Sequence, residues 1–537
     1  MRKSTRFLAL ALAIVFVLSL AACGTAAPAA SSAPASSAAE SSSAAAESSS
    51  AAASESAPAI DTSEFVTVSH YMMGDAPKNG QLELAQEEWN KIMKEKINTA
   101  MELKWIEWAD WSTKYNMLLA SGEPIDLIHT SSTWLDMWPN AQRGAFAELD
   151  DLIPTLAPLT WAEIPQEDWD QIRFNGKIIG FPENDYTQYV NHGFYYRGDW
   201  AKEAGITEPI TSFEQFGQYL AGVKKNHPDI VPYDVANIEY NYEGWMNLYT
   251  DYITVPGVPT GKDAMFWAKS YDDYANVVLP VMEEEYVKFA TMMKEWSDAG
   301  YWREDALSFT GNTRDLLKAG QTGADQHHTQ TYKGLRVDMD EKQPGSDLQF
   351  FNIALAKGFL MAEPITHGAT SIGANSKNKE RSVMVYELLR QDETIYKLLN
   401  YGREGVQYEV KDGVRVRPAG YDDARDGFYS DYWGGRVDKF EIPSDRDYKG
   451  IFDIWAQLDK IVKPFLYGQF IFDKTNVEAE LAAISEVVNS DGVALGMGKV
   501  KDVATAVEEY RTKLKAAGIE KVQAEVAAQL AAYKASR

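Results

Sequence analysis

The chain has 537 residues, room for two or three domains of the usual ~100–200 residues, and 45% of them are hydrophobic, enough for a sizeable core. Lys and Arg number 52 against 78 Asp and Glu, a net charge of −26. That balance argues against a partner held by its phosphates, whether nucleic acid or anionic lipid met through a basic face, and the single cysteine excludes a disulfide scaffold and a zinc-ribbon cluster.

Arg2, Lys3 and Arg6 precede fourteen apolar residues, Phe7 to Leu20, too few to span a ~30 Å hydrocarbon core as a helix. Leu20-Ala21-Ala22-Cys23-Gly24 follows and resembles the lipobox of bacterial lipoproteins. The resemblance implies that residues 1–22 are a signal peptide and that Cys23 becomes a diacylglyceryl-bearing N-terminus. Such an anchor would hold the protein on the extracellular face of the bacterial cytoplasmic membrane, since two acyl chains suffice where one is marginal. No later stretch approaches eighteen consecutive apolar residues. From Gly24 to Ile60, 28 of 37 residues are Ala or Ser. With no apolar face to bury, residues 23–61 read as a flexible tether.

Phe65-Val66-Thr67-Val68-Ser69 alternates as a strand running towards Tyr71-Met72-Met73-Gly74, and Leu82, Ala85, Trp89, Ile92 and Met93 recur at helical spacing. Met101 to Trp105 predicts a second strand, Tyr115, Leu118 and Leu119 a short helix, and Asp126 to Thr130 a buried third strand. This βαβ run predicts an α/β fold with a parallel sheet whose ligands sit off the carboxyl ends of the strands. Thr211-Ser212-Phe213-Glu214 reads as a capping box opening a helix with Phe213, Phe216, Leu220 and Val223 on one stripe. Glu409 to Val416 reads as a hairpin around Asp412-Gly413, and Val503 to Tyr533 as two helices broken near Ala517-Gly518. No internal repeat is evident.

Six segments, spread over roughly residues 63 to 534, resemble the large extracellular solute-binding proteins of ABC importers, in particular the lipid-anchored Gram-positive subgroup associated with oligosaccharides. They are Gly176 to Pro182; Tyr195 to Trp200 with Ala204-Gly205-Ile206; the capping-box helix; Ser371 to Ser376 with Lys379-Glu380-Arg381; Tyr401 to Tyr408; and the tail from Phe470-Ile471-Phe472-Asp473 to Lys534. The resemblance implies a two-lobed periplasmic-binding-protein-like fold, with a hinge, a ligand cleft between the lobes and an extra helical C-terminal region. The N-terminal lobe is expected from residues 62–183 plus about 310–370, the C-terminal lobe from 184–309 plus about 371–537. It also implies hinge closure on a ligand, ABC permease subunits as partners, a monomer, no cofactor and no chemistry of its own.

A neutral sugar offers apolar C–H faces and a rim of hydroxyls, so it calls for aromatic platforms and planar polar side chains. Tyr71 and Asp75 follow the first strand, and Ser131 and Trp134 lie in the loop after the third. Asn184 and Tyr186 follow the Gly180-Phe181-Pro182 turn, where the lobe crossover is expected. Trp245, His327 and Trp433 complete the candidate contacts, with Tyr429 and Tyr432 beside the last. Arg197 reads as an ion pair with Asp199 or a helix-end contact rather than a clamp on an acidic sugar. Adjacent His327 and His328 point to opposite faces of a strand, and no i, i+4 His pair exists, so no metal is expected. Asp422 to Gly427 lacks the ligand pattern of a calcium loop and reads as a solvated acidic turn.

No Gly-x-Ser-x-Gly elbow, phosphate loop or His-Glu-x-x-His motif occurs. The reading is a tethered receptor that captures an oligosaccharide and passes it to a permease. Its rivals are a receptor for a peptide or polyamine, a secreted carbohydrate-active hydrolase or lyase, which two placed carboxylates would suffice to build, and an adhesin.

Overall fold

A computed structural model of the chain describes residues 61–109, 111–183, 191–234, 239–309, 311–432 and 435–536. Cys23 and all but the last residue of the tether, with the candidates Asn184, Tyr186 and Trp433, lie outside those residues.

Strand β1 (Val66–Met73) runs parallel to β2 (Thr99–Ile106), setting Val66 against Thr99 and Met73 against Ile106. Strand β3 (Leu127–Thr130) joins the other side of β1, also parallel, with every side chain buried. The links are helical, as the spacing predicts: α1 (Gln81–Ile97) and α2 (Trp111–Ala120). In α1, Leu82, Ala85, Trp89, Met93 and Ile97 fall three or four residues apart and bury one stripe against the sheet. The chain then reaches β4 (Phe181–Pro182), beyond which it passes to a second sheet.

That second sheet is antiparallel. Its centre is β5 (His192–Arg197), flanked by β6 (Ala324–His328) and β7 (Leu348–Asn352). The chain returns at β8 (Ala369–Ile372), which lies antiparallel between β3 and β4 and completes the order β2-β1-β3-β8-β4. Two large hydrophobic cores follow the two sheets: one from residues 68–181 and 369–432, the other from 194–353 and 467–530.

This pairing reverses the expected assignment of two segments. Residues 310–370 contribute β6 and β7 to the second sheet, not the first, and the helices Lys379–Gln391 and Glu393–Tyr401 put Val383, Tyr386, Leu389 and Ile395 into the first core. The physical reason lies in β6, whose sequence Ala-Asp-Gln-His-His has no apolar alternation to declare which sheet it joins. Its place is set by its partner strand.

Local expectations elsewhere hold with one shift. Ser212, not Thr211, is the N-cap of the helix Phe213–Asn226, its hydroxyl accepting from Gln215 N–H at 3.2 Å. Gln215 reaches back to Thr211 N–H at 2.8 Å, and Glu214 is left to accept from Tyr249 Oη at 2.6 Å. Asp412 and Gly413 both take positive φ (52° and 76°), as a type I′ hairpin turn demands. The C-terminal helices Val503–Ala516 and Ile519–Ala535 break at Gly518, φ 91°. Ile519, Val522, Val526 and Leu530 then bury one stripe of the last helix in the second core.

The irregular segment 467–472, upstream of those helices, spans both cores. Tyr467, Phe470 and Phe472 enter the second core, while Ile471 packs against the first. Gln469 points the same way as Ile471, its Nε2 donating to the carbonyls of Arg173 (2.6 Å) and Asp170 (3.0 Å). A tight turn, with Tyr467 carbonyl accepting from Phe470 N–H at 2.6 Å and Gly468 at φ 42°, divides the side chains between the two cores.

Candidate functional site

The ends of β3 and β5, with the loops around them, enclose a cleft of about 1790 Å³ between the two cores. Its first wall is aromatic. Trp134 stands in the loop after β3, as expected, with its ring 6.1 Å from Trp108 in a stacked pair and 5.4 Å edge-on from Trp111. Trp108 is 40% exposed and, with Trp134, lines the cleft.

The loop that presents Trp134 is held by its neighbours. Ser131 is fully buried and does not line the cleft; its hydroxyl accepts from Thr133 N–H at 3.1 Å and Trp134 N–H at 3.4 Å, closing the turn. Ser132 N–H donates to Thr366 carbonyl at 2.9 Å, and Thr133 Oγ1 meets His367 Nδ1 at 2.6 Å. The loop is thereby tied to the chain returning from the second sheet.

The second wall is built on β5 and β6. His192 stacks on Tyr240 with centroids 3.7 Å apart and planes 13° from parallel. His327 lines the cleft, its Nδ1 2.7 Å from Thr331 Oγ1. His328 caps the helix Thr329–Lys342 by accepting from Thr331 N–H. Burial pushes all three imidazoles down, His328 to about 3, and the Arg314 guanidinium and the neighbouring histidines push the same way. The three imidazoles are thus neutral at physiological pH, and Arg314 beside them is paired with the buried Asp325 at 3.2 Å.

The remaining candidates separate. Trp245 is 3% exposed in the second core, its indole N–H donating to Glu285 at 3.0 Å, so it is a core residue and no ligand contact. Tyr71 is half-buried against the first core and does not line the cleft. Asp75 is exposed, and its backbone N–H holds the carboxylate of Asp431, which does line the cleft. Burial, and next the Asp75 charge, raise Asp431 to about 6. Its carboxylate occupies the place a side chain on Gly74 would need: a Cβ there would lie 2.1 Å from Oδ2. Arg197 makes a two-pronged pair with Asp199 (2.7 and 3.0 Å) and lies over the Trp200 ring.

Sequence reasoning missed Trp108, the His192–Tyr240 stack and Arg314. Trp108 follows the second strand as Trp134 follows the third, so the loop rule already applied to it. Tyr240 and Trp245 share the helix Glu239–Tyr249 but sit five residues apart, on different faces. Among the described residues no group of three or more His, Cys, Asp or Glu is placed to hold a metal ion.

A carbohydrate ABC transporter substrate-binding protein of Streptococcus pneumoniae is 24% identical over 454 residues, 84% of this chain and 87% of its own length. The crystal structure of the N-glycan transport solute-binding protein of the same species superposes with a TM-score of 0.67 at 21% identity, covering 86% of this chain and 98% of that one. A solute-binding protein of Bifidobacterium longum infantis that binds human milk oligosaccharides reaches 0.60 at 15% identity, covering 87% and 98%. The chain has the fold of the two-domain solute-binding proteins. Residues 466–535, the cross-core segment and the last helices, match a family described as a domain of unknown function, DUF3502. The lobes, the cleft and the extra helical C-terminal region expected from the six sequence segments are those of this fold. No helix among the described residues is long and apolar enough to cross a membrane.

Proposed function

We propose that the protein is a receptor that captures an oligosaccharide outside the cell by closing its two lobes and delivers it to an ABC permease. The observation that carries this reading is the cleft itself. At about 1790 Å³ it exceeds the ~300–1,000 Å³ typical of drug-sized ligands. It is walled by Trp108 and Trp134 on one side and the His192–Tyr240 stack on the other. Aromatic rings on both walls suit the C–H faces of pyranose rings, and imidazoles kept neutral by burial supply hydrogen bonds without charge. The relatives support it: the glycan-transport protein is crystallised with Man5GlcNAc, and the pneumococcal relative is named a carbohydrate ABC transporter substrate-binding protein.

Delivery requires that the permease distinguish loaded from empty receptor, which lobe closure provides through the ligand's differential affinity for the closed form. Cys23 is the proposed lipid anchor and residues 23–61 the tether that gives the lobes reach. The protein acts as a monomer and performs no chemistry. Trp134 and His327 are the proposed contacts retained from the sequence, with Trp108, Tyr240 and His192 added. Titration with neutral and acidic oligosaccharides, followed by tryptophan fluorescence, tests the reading. Saturable one-to-one binding with ligand recovered intact supports it. Binding of a peptide or polyamine alone, or products accumulating with time, would replace it with a rival.

A further inference from the structure

We propose that the corner of the cleft around Arg314 is a subsite for the carboxylate of an acidic sugar unit, an inference that rests on the oligosaccharide-receptor reading. Arg314 lies in the short helix Thr313–Lys318 and lines the cleft, its side chain 29% exposed. Its Nε donates to Asp325 Oδ2 at 3.2 Å, and the other oxygen of Asp325 accepts from Thr313 Oγ1 at 2.6 Å. Asp325 is therefore held on both oxygens and stays put beneath the cleft surface. The two terminal NH2 groups of Arg314 make no hydrogen bond among the described residues.

The other cations lining the cleft are committed. Lys333 pairs with Asp447 at 3.1 Å. Lys357 pairs with Asp251 at 3.1 Å and donates to Thr250 carbonyl at 2.8 Å, and Lys463 lies 4.7 Å above the Tyr271 ring. Of the four, only Arg314 offers its unmatched donors as a planar fork.

Its surroundings are donors as well. His328 Nδ1 accepts from Thr331 N–H at 3.4 Å, which places the ring proton on Nε2. His192 Nδ1 lies 2.9 Å from Gln326 Nε2, an amide donor, with the same consequence. Arg314 and other histidines act on these two rings and, with burial, keep them neutral. A sugar hydroxyl could accept from one NH2 of Arg314. A carboxylate accepts from both in one plane, with charge assistance, and satisfies the corner completely.

The test uses the full chain in detergent, titrated by calorimetry with a neutral oligosaccharide, the same oligosaccharide capped with sialic acid, and a uronate-containing chain. The acidic ligand that seats its carboxylate here is expected to bind roughly ten- to a hundredfold tighter than its neutral counterpart. In Arg314→Lys, which keeps a charge beside Asp325 but loses the fork, most of that gain disappears, and the acidic ligand loses several-fold more affinity than the neutral one. The sialylated and uronate arms tell which acid the corner accepts. Equal affinity for neutral and acidic chains, or an Arg314→Lys effect equal on both, overturns the subsite alone. Silence on every oligosaccharide overturns the receptor reading and the subsite with it.

Discussion

Acidification below pH 6.5 should destabilise the first lobe, and His70 isolates the cause. The side chain is fully buried in β1, edge-on to Tyr432 at 5.8 Å, and among the described residues neither ring nitrogen has a hydrogen-bond partner. Burial alone drives it from 6.5 to about 3. The folded value lies below the unfolded one, so the neutral ring's contribution is intact above about pH 6.5 and is lost as pH falls towards 3. By pH 5 the unfolded state binds this proton and the folded state does not, a loss of about 2 kcal/mol, with a limiting slope of about 1.4 kcal/mol per pH unit. His129, also held at about 3 by burial, adds to the wild-type slope. His70→Leu removes one proton from the linkage and two orphaned polar atoms from the core. Urea unfolding at pH 7.5 should show the variant more stable by about 1 kcal/mol. Between pH 6 and 4 its stability should fall less steeply than wild type, by about 1.4 kcal/mol per pH unit. Parallel pH profiles for the two proteins would refute the argument.

Three substitutions separate the cleft from the scaffold. Trp134→Ala removes a platform that covers on the order of 80 Å² of a sugar ring, about 2 kcal/mol at ~25 cal/mol/Å², so Kd should rise about thirtyfold by calorimetry. An unchanged Kd would take Trp134 out of the site. Trp245→Ala should leave Kd unaltered but cost about 3–5 kcal/mol in denaturant unfolding, because its indole is buried and satisfied by Glu285; a binding defect in a normally stable variant would contradict its place in the core. Gln469→Ala strips the carbonyls of Arg173 and Asp170 of their shared donor and should cost about 1 kcal/mol, read as a lower Tm. No change in Tm would mean that this bridge between the cores is idle.

The first sheet was legible in the sequence because its pieces are local. The alternation through Val66–Val68, the three-and-four spacing from Leu82 to Met93 and the apolar run at Leu127-Ile128 each state their own conformation. The break at Gly518 and the Asp412-Gly413 turn were equally plain, since a positive φ asks for those residues. What stayed hidden was non-local. Nothing in Ala324–His328 says that it pairs with His192–Arg197, and nothing in Ala369–Ile372 says that it slots between β3 and β4. The lobe assignment of Ala324–His328 therefore went the wrong way, and the boundary expected near residue 370 cuts through Ala369–Ile372. In the site, Trp134 was found because a loop at a strand's carboxyl end is a positional signal. Trp245 was mistaken because aromatic content is not one, and its helix turns Tyr240 rather than Trp245 towards the cleft. Arg314 gives no signal in sequence: its value lies in having one nitrogen used and two unused, which only the folded neighbourhood defines.

The measurement closest to the central claim is calorimetric titration of the protein with a panel of oligosaccharides, run beside small-angle scattering of the free and loaded forms. The account predicts one-to-one saturation by one glycan family, recovery of that glycan intact, and a smaller radius of gyration when loaded. Binding without compaction, binding confined to peptides or polyamines, or glycan consumed during the titration would contradict it.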